Sequence, residues 1–220
     1  DHGLEIDQFS ASHIEIIKGP ASVQYGSDAI GGVIHLKDRF IPDNEVAGMR
    51  IESGYQSNNN LFATSGLLYA RKSNFYGKLR FTISEYSDLK VPVDSIAYYS
   101  YYFRLKDRRL RNTAGKDNNI GISLGYTGER WQGSISFSRM HMRSGFFANA
   151  HGLEIRRSKI DYDRSFRDID LPYQGVNHYK LISNHSVTLN YGTINIDAGW
   201  QRNFRQKFSE AIGHGFMPDP

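Results

Sequence analysis

Two stretches carry side chains able to bind a ligand. Tyr98, Tyr99, Tyr101 and Tyr102 are followed closely by Arg104, Lys106, Arg108, Arg109 and Arg111. Phenol rings stack on flat or aromatic molecules, and guanidinium groups attract anions through charge-assisted hydrogen bonds. Further along, His151 and His178 offer imidazole nitrogens that can ligate iron. Each of these residues also has a plainer role as a solvated loop side chain. Catalytic constellations are missing: no Gly-x-Ser-x-Gly, His-Glu-x-x-His or phosphate-loop pattern occurs. Asp161 and Asp163 sit among many charges, which fits a solvated loop better than an acid–base pair. His141, between Met140 and Met142, shares a strand face with Trp131, Ile135 and Phe137, so a place in an aromatic rim outweighs metal ligation. Neither enzyme activity nor a resident cofactor or metal is expected.

The elements that hold these residues are strands. From Val46 the pattern has period two. Phe75, Gly77, Leu79, Phe81 and Ile83 alternate with Tyr76, Lys78, Arg80, Thr82 and Ser84. Similar runs cover Ile120–Thr127, Trp131–Ser138, Lys180–Tyr191 and Ile194–Gln201; Leu61–Arg71 is blurred by Leu67-Leu68. This predicts about seven antiparallel strands. Tight turns fall at Lys72–Asn74, Gly128–Arg130 and Gly192. Long connections fall at Asp88–Asn118 and Arg143–His178 and after Gln206, with Gln56–Asn60 a shorter member of that set. Short turns at one end and long ones at the other are the habit of a membrane barrel, whereas soluble domains rarely carry two structureless connections of about thirty residues.

Composition sets the bounds. The 220 residues hold no cysteine, which excludes disulfides and thiolate chemistry. Mean hydropathy is -0.53, and no run of eighteen apolar residues occurs. A membrane-spanning helix is therefore excluded, but a barrel of alternating strands is not. The 14 tyrosines and 13 phenylalanines suit interfacial aromatic girdles. A net charge of +4 is too small and too dispersed to argue for nucleic acid.

The stretch Ile14–Leu36, IEIIKGPASVQYGSDAIGGVIHL, organises the rest. A short strand, Ile14–Ile17, is broken by Gly19-Pro20. One helical turn follows from Pro20 to Tyr25. Gly31-Gly32 then permits close backbone approach before a second strand, Val33–Leu36. Glu15, Lys18, Gly19, Pro20, Ser22, Tyr25, Gly26, Ala29, Gly31, Gly32 and Val33 match in order a pattern that resembles the end of the plug domain of TonB-dependent outer-membrane receptors.

The resemblance implies an all-β fold: a partial transmembrane antiparallel β-barrel, about seven of the family's twenty-two strands, preceded by the end of an α+β plug domain. It implies a plug portion at 1–40 and barrel strands at 45–220. Lys18, Gly19, Pro20, Ser22, Tyr25, Gly26, Gly31 and Gly32 would serve plug folding and plug–barrel contact. Active import across the bacterial outer membrane would follow, driven by TonB with ExbB and ExbD through a contact box that this chain does not contain. Gly19-Pro20 resembles the siderophore, haem and cobalamin branch, whereas glycan importers read more like Lys-Asp-Ala there. Ser144–Gly152 is similar to a loop of receptors from Bacteroidetes. The haem-receptor loop signature, FRAP followed by NPNL, is missing from this chain. Tyr98, Tyr99, Tyr101, Tyr102, Arg108, Arg109, His151 and His178 become candidate ligand contacts in extracellular loops, where basic residues can equally meet lipopolysaccharide phosphates. The alternative is a receptor for glycan or protein-bound ligands that works with a surface lipoprotein.

Overall fold

Short polar turns between runs of period two close antiparallel hairpins. Ser73, at φ 52°, opens a two-residue turn between Lys72 and Phe75. The computed structural model describes residues 6–20, 25, 26, 29, 31–38, 46–98, 101–147 and 165–209; of Lys37, Asp38, Tyr98, Tyr101 and Phe103 only the backbone is described. Two strands, β1 (Ala11–Ile17) and β2 (Val33–Asp38), pair as a separate antiparallel sheet. The main sheet begins with β3 (Ala47–Gln56), β4 (Leu61–Lys72) and β5 (Phe75–Tyr86). Short pairs follow: β6 (Leu89–Lys90) with β9 (Arg109–Leu110), and β7 (Ser95–Tyr98) with β8 (Tyr101–Arg104). The sheet then resumes with β10 (Gly115–Thr127), β11 (Trp131–Gly145), β12 (Tyr173–Leu189) and β13 (Gly192–Phe208). Its spatial order is β13-β12-β11-β10-β5-β4-β3, antiparallel throughout. The fold is thus all-β, with no α-helix among the described residues.

Four strand ends differ from expectation, all at the long-loop end. The connection expected over Asp88–Asn118 is shorter, because β10 starts at Gly115, and it is not structureless, because it holds the two small pairs. The connection expected over Arg143–His178 shrinks likewise, since β11 runs to Gly145 and β12 starts at Tyr173. Strand β13 continues to Phe208. The extra residues, such as Lys116 and Asp117 or Arg143 and Ser144, are polar on both faces. They carry backbone pairing without any apolar alternation to announce it.

The distribution of side chains is inverted relative to a soluble domain. Met49, Leu68, Leu79, Ile122, Phe137, Leu181 and Trp200 are register partners in one row across all seven strands, and each is at least 38 % exposed. The opposite face buries Ser65, Thr82, Asn119, Gln174 and His178. Water would not favour such an arrangement; a hydrocarbon outside and a filled lumen inside would. The blurred pair resolves accordingly: Leu68 points outward, and Leu67 points inward at 4 % exposure.

Glycines on the inward side face aromatic rings. A Cβ at Gly48, Gly115 or Gly125 would collide with the ring of its cross-strand partner Tyr69, Tyr86 or Tyr76. The rings therefore lie flat over the glycines.

Candidate functional site

The hairpin β1–β2 depends on two glycine conformations. Gly19 leaves β1 at φ 75° and Gly32 enters β2 at φ 122°, both in left-handed space. A Cβ on Gly32 would lie 2.9 Å from the carbonyl oxygen of Ile17, so the strands can close only around glycine. Gly32→Ala is expected to destabilise this hairpin by about 2 kcal/mol. The check is faster proteolysis within residues 11–38 of the full-length protein, while cleavage elsewhere stays the same. Gly19, Pro20 and Tyr25 have 3-10 conformation, while residues 21–24, the body of the expected helical turn with Ser22 in it, lie outside the described residues. On the hairpin surface His35 Nδ1 lies 3.6 Å from Glu15 Oε2, and the His35 ring contacts Tyr25.

This hairpin segment sits against the polar face of the large sheet. Thr82 Oγ1 donates to Asp7 Oδ2 at 2.8 Å and lies 2.8 Å from Ser65 Oγ, which accepts from Arg80 Nη1. Between the two bodies is a cleft of about 700 Å³, lined by Ile6, Asp7, His35 and Leu36 on one side and by Lys78, Arg80, His178 and Lys180 on the other.

The outward face carries an apolar band with a slant. Its loop-side edge runs Phe62, Ile83, Ile120, Phe137 and Leu181 from β4 to β12, and its turn-side edge runs Ala70, Phe75, Tyr126, Trp131 and Leu189. Both edges drift by three register rows over four strand steps. A row is about 6.7 Å along the strand and a step about 4.8 Å across it, so the band crosses the strands at about 45°. Strands tilted by that amount in a membrane would present a level apolar belt. At the turn side Phe75, Tyr126, Trp131 and His185 form a continuous aromatic run, with Tyr126 stacked on Trp131 at 4.8 Å.

At the other end three connections lock together. Ser87 N–H and Lys90 N–H donate to the carbonyls of Asn59 and Asn58. Asp88 N–H donates to Phe166 O, and Asp88 Oδ1 accepts from the backbone of Thr113 and Ala114 at 2.8 and 3.1 Å. Arg109 Nη1 donates to Ser87 Oγ and Asp88 O, with its guanidinium 4.5 Å above the Phe166 ring. Asn112 Nδ2 donates to the carbonyls of Phe146 and Pro172, while its Oδ1 accepts from Asp170 N–H. Burial pushes the Asp88 carboxyl up to about 6, against the lowering effect of those two backbone donors and of Arg109 and Arg111.

The sequence-predicted ligand residues therefore part company. Tyr102 is 81 % exposed at the β7–β8 hairpin, with Arg108 exposed nearby. Arg109 is 7 % exposed and spends its donors on the loop scaffold. His178, expected in a loop, is inside β12 on the inward face at 9 % exposure. Tyr98 and Tyr101 flank the hairpin turn, with only their backbones described; Tyr99 and His151 lie outside the described residues. His141 is on the outward face as expected, with Nδ1 3.0 Å from Asn177 Oδ1. Sequence reasoning missed Asp88 and Asn112; the only hint was that Asp and Asn commonly bond backbone in turns.

An antiparallel sheet with one exposed apolar face and one polar face, with a motif-bearing hairpin on the polar face, is the arrangement to compare with known proteins. Residues 2–33 match the TonB-dependent Receptor Plug Domain family. Over 52 residues, 22% of this chain, there is 42% identity to the Heme/hemopexin utilization protein C of Haemophilus influenzae, and the match covers 7% of that relative. Over 55 residues, 25% of this chain, there is 42% identity to the Vitamin B12 transporter BtuB of Vibrio vulnificus, covering 9% of that protein. The matched region thus spans less than a tenth of either relative, and the likeness to the family rests on the N-terminal hairpin segment.

Proposed function

We infer that this chain belongs to an importer in the bacterial outer membrane, taking up a scarce nutrient built around a metal: haem, a ferric siderophore or cobalamin. Residues 1–40 supply plug and residues 45–220 supply wall. The observation that carries the reading is the hydrogen bond from Thr82 to Asp7, which seats the plug segment on the polar face of an inside-out sheet. Strands β3 and β13 have no further strand partner among the described residues. In hydrocarbon an unpaired edge costs several kcal/mol per group, so additional strands must close the wall. Transport by this reading draws on TonB, with ExbB and ExbD, pulling on the plug, and the metal travels as cargo. The names of the two relatives, heme/hemopexin utilization and vitamin B12 transport, support a metal-complex cargo over a glycan. Tyr102 and Arg108, exposed at the loop end, are the described residues best placed for first contact.

Deleting the gene from its host is expected to remove growth at limiting haem, ferric siderophore or cobalamin, and TonB loss is expected to reproduce the defect. Normal growth on all three, with lost growth on a glycan, would instead establish the glycan reading with its surface lipoprotein.

A further inference from the structure

Halfway along the strands, the inward face is hollow. Its floor is Gly121 and Ser123 on β10 with Ser136 and Ser138 on β11, and none of these reaches far from the backbone. Gly121 is bare: a Cβ there would meet nothing nearer than Arg80 Cβ at 4.0 Å, whereas the Tyr76 ring covers Gly125. The flanking strands carry long cations. Arg80, Gly121, Ser138 and Lys180 are register partners in one row, so Arg80 and Lys180 face each other across about 14 Å of floor. Lys78 stands beside Arg80, one row toward the short turns. His178 stands beside Lys180 on the loop side; its Nδ1 accepts from Asn203 Nδ2 at 3.1 Å, which leaves the ring hydrogen on Nε2. Floor and cations all line the cleft of about 700 Å³ beneath the β1–β2 hairpin. Asp7 is the single acid among the described lining residues, and its two oxygens already accept from Phe9 N–H and Thr82 Oγ1. At the loop-side end of the floor, Asn119 is 8 % exposed and lines the same cleft, and its Oδ1 accepts no hydrogen bond among the described residues.

We propose that this bowl binds a hydroxycarboxylate, as the free acid or as an arm of a metal chelate, which deepens the importer reading, on which it rests, by naming the cargo's chemistry. The cations select carboxylates. A guanidinium meets a carboxylate with a planar fork, and an ammonium opposite it takes a second carboxyl group as a point charge. The excess of Lys78, Arg80 and Lys180 over one occupied acid gives the cleft a positive field. Asn119 adds the hydroxyl. A buried acceptor without a donor is costly, and a carboxylate brings no donor of its own. Asn119 follows Gly121 by one row, about 6.7 Å along β10, so the donor it lacks belongs near the carboxylate that Arg80 holds. An inorganic anion would leave Asn119 unanswered, and so would an acidic side chain from elsewhere in the protein. The cleft volume falls within the range of about 300–1,000 Å³ that organic ligands occupy. The bowl lies mid-wall, well below Tyr102 and Arg108 at the loops, so it is a second station and not the point of first contact. Among the cargoes of the importer reading, this chemistry favours a ferric siderophore built on hydroxycarboxylates.

The test is calorimetric titration of the full-length protein in detergent with citrate, with tricarballylate, which is citrate without its hydroxyl, and with ferric citrate. Lys180→Gln, which removes a cation, and Ser138→Leu, which fills the floor, are each expected to weaken citrate binding at least about tenfold. Tricarballylate is expected to bind about tenfold more weakly than citrate, and Asn119→Ala is expected to erase that difference. Lys72→Gln, an equal charge change on the outward face, should leave binding unchanged. Heat-modified gel mobility reports that each variant is folded. Undiminished binding by both Lys180→Gln and Ser138→Leu overturns the proposal, as does equal binding of tricarballylate by the unaltered protein. Competition by inorganic phosphate as effective as citrate's own shows a general anion site and overturns it too. Tighter binding of ferric citrate than of citrate assigns the site to a chelate, and the reverse assigns it to the free acid; both uphold it. A flat titration with a growth defect at limiting ferric siderophore overturns this inference alone. Citrate binding without a growth defect on any metal complex upholds the site and overturns the importer.

Discussion

Ile135→Arg is expected to cripple assembly of the full protein, whereas Ser134→Arg is expected to be tolerated. Ile135 lies mid-band on the outward face, 53 % exposed, with Leu124 and Ser183 as cross-strand neighbours. If that face meets hydrocarbon, Ile135→Arg costs about 2–4 kcal/mol, the depth-dependent penalty for a cation near the bilayer midplane. Ser134, one residue earlier, lines the polar cleft opposite the plug segment. Its partner is Asn184, which donates to Asp197, so an added cation there finds water and a carboxylate within reach. Ser134→Arg should change stability by less than about 1 kcal/mol. Refolding of the full receptor into lipid vesicles under urea measures both. A water-soluble domain predicts the reverse ordering of concern, because an exposed isoleucine tolerates charge; equal midpoints for the two variants would refute the lipid-facing wall.

The second large effect is at the loops. Arg109→Ala removes a guanidinium that bonds Ser87 Oγ and Asp88 O and covers Phe166, leaving buried acceptors unpaired. A loss of about 3 kcal/mol of local stability is expected, read as protease cleavage within residues 87–114 of the full receptor. The same region should respond to pH. The Asp88 carboxyl titrates at about 6 in the folded loops against 3.8 when free. The folded state thus binds the proton more tightly. Its contribution is complete below pH 3.8 and is lost as pH rises through about 6. Cleavage should therefore be faster at pH 7.5 than at pH 5. Asp88→Asn keeps an acceptor oxygen for Thr113 and Ala114 while abolishing the charge, so its cleavage rate should no longer vary over that range.

What the sequence made legible, it did through chemistry local to a strand or a turn. The faces of β5, β10, β11 and β13 could be read because alternation directly reports which side each residue takes. The hairpin at 14–36 could be read because glycines at left-handed positions have no substitutes. Strand ends were misread at the loop side because apolar alternation measures the height of the hydrocarbon, while backbone pairing in β10–β13 continues beyond it. The loop lock was illegible. Asp88 and Arg109, like Asn112 and Pro172, are polar or turn residues far apart in the chain, buried only because other connections close over them. Candidate ligand residues were read by type alone, and type could not tell exposed Arg108 from buried Arg109, although they are adjacent.

The tyrosines that lie flat over facing glycines have a consequence for exchange with solvent. A ring parked on a bare backbone shields the amides beneath it from hydroxide while occupying little of the lumen. Amides around Gly48, Gly115 and Gly125 should trade hydrogen for deuterium more slowly than their neighbours, though they face the wet side. The wall would then be tiled where it is wettest, and passage space would be kept without loosening the ladder.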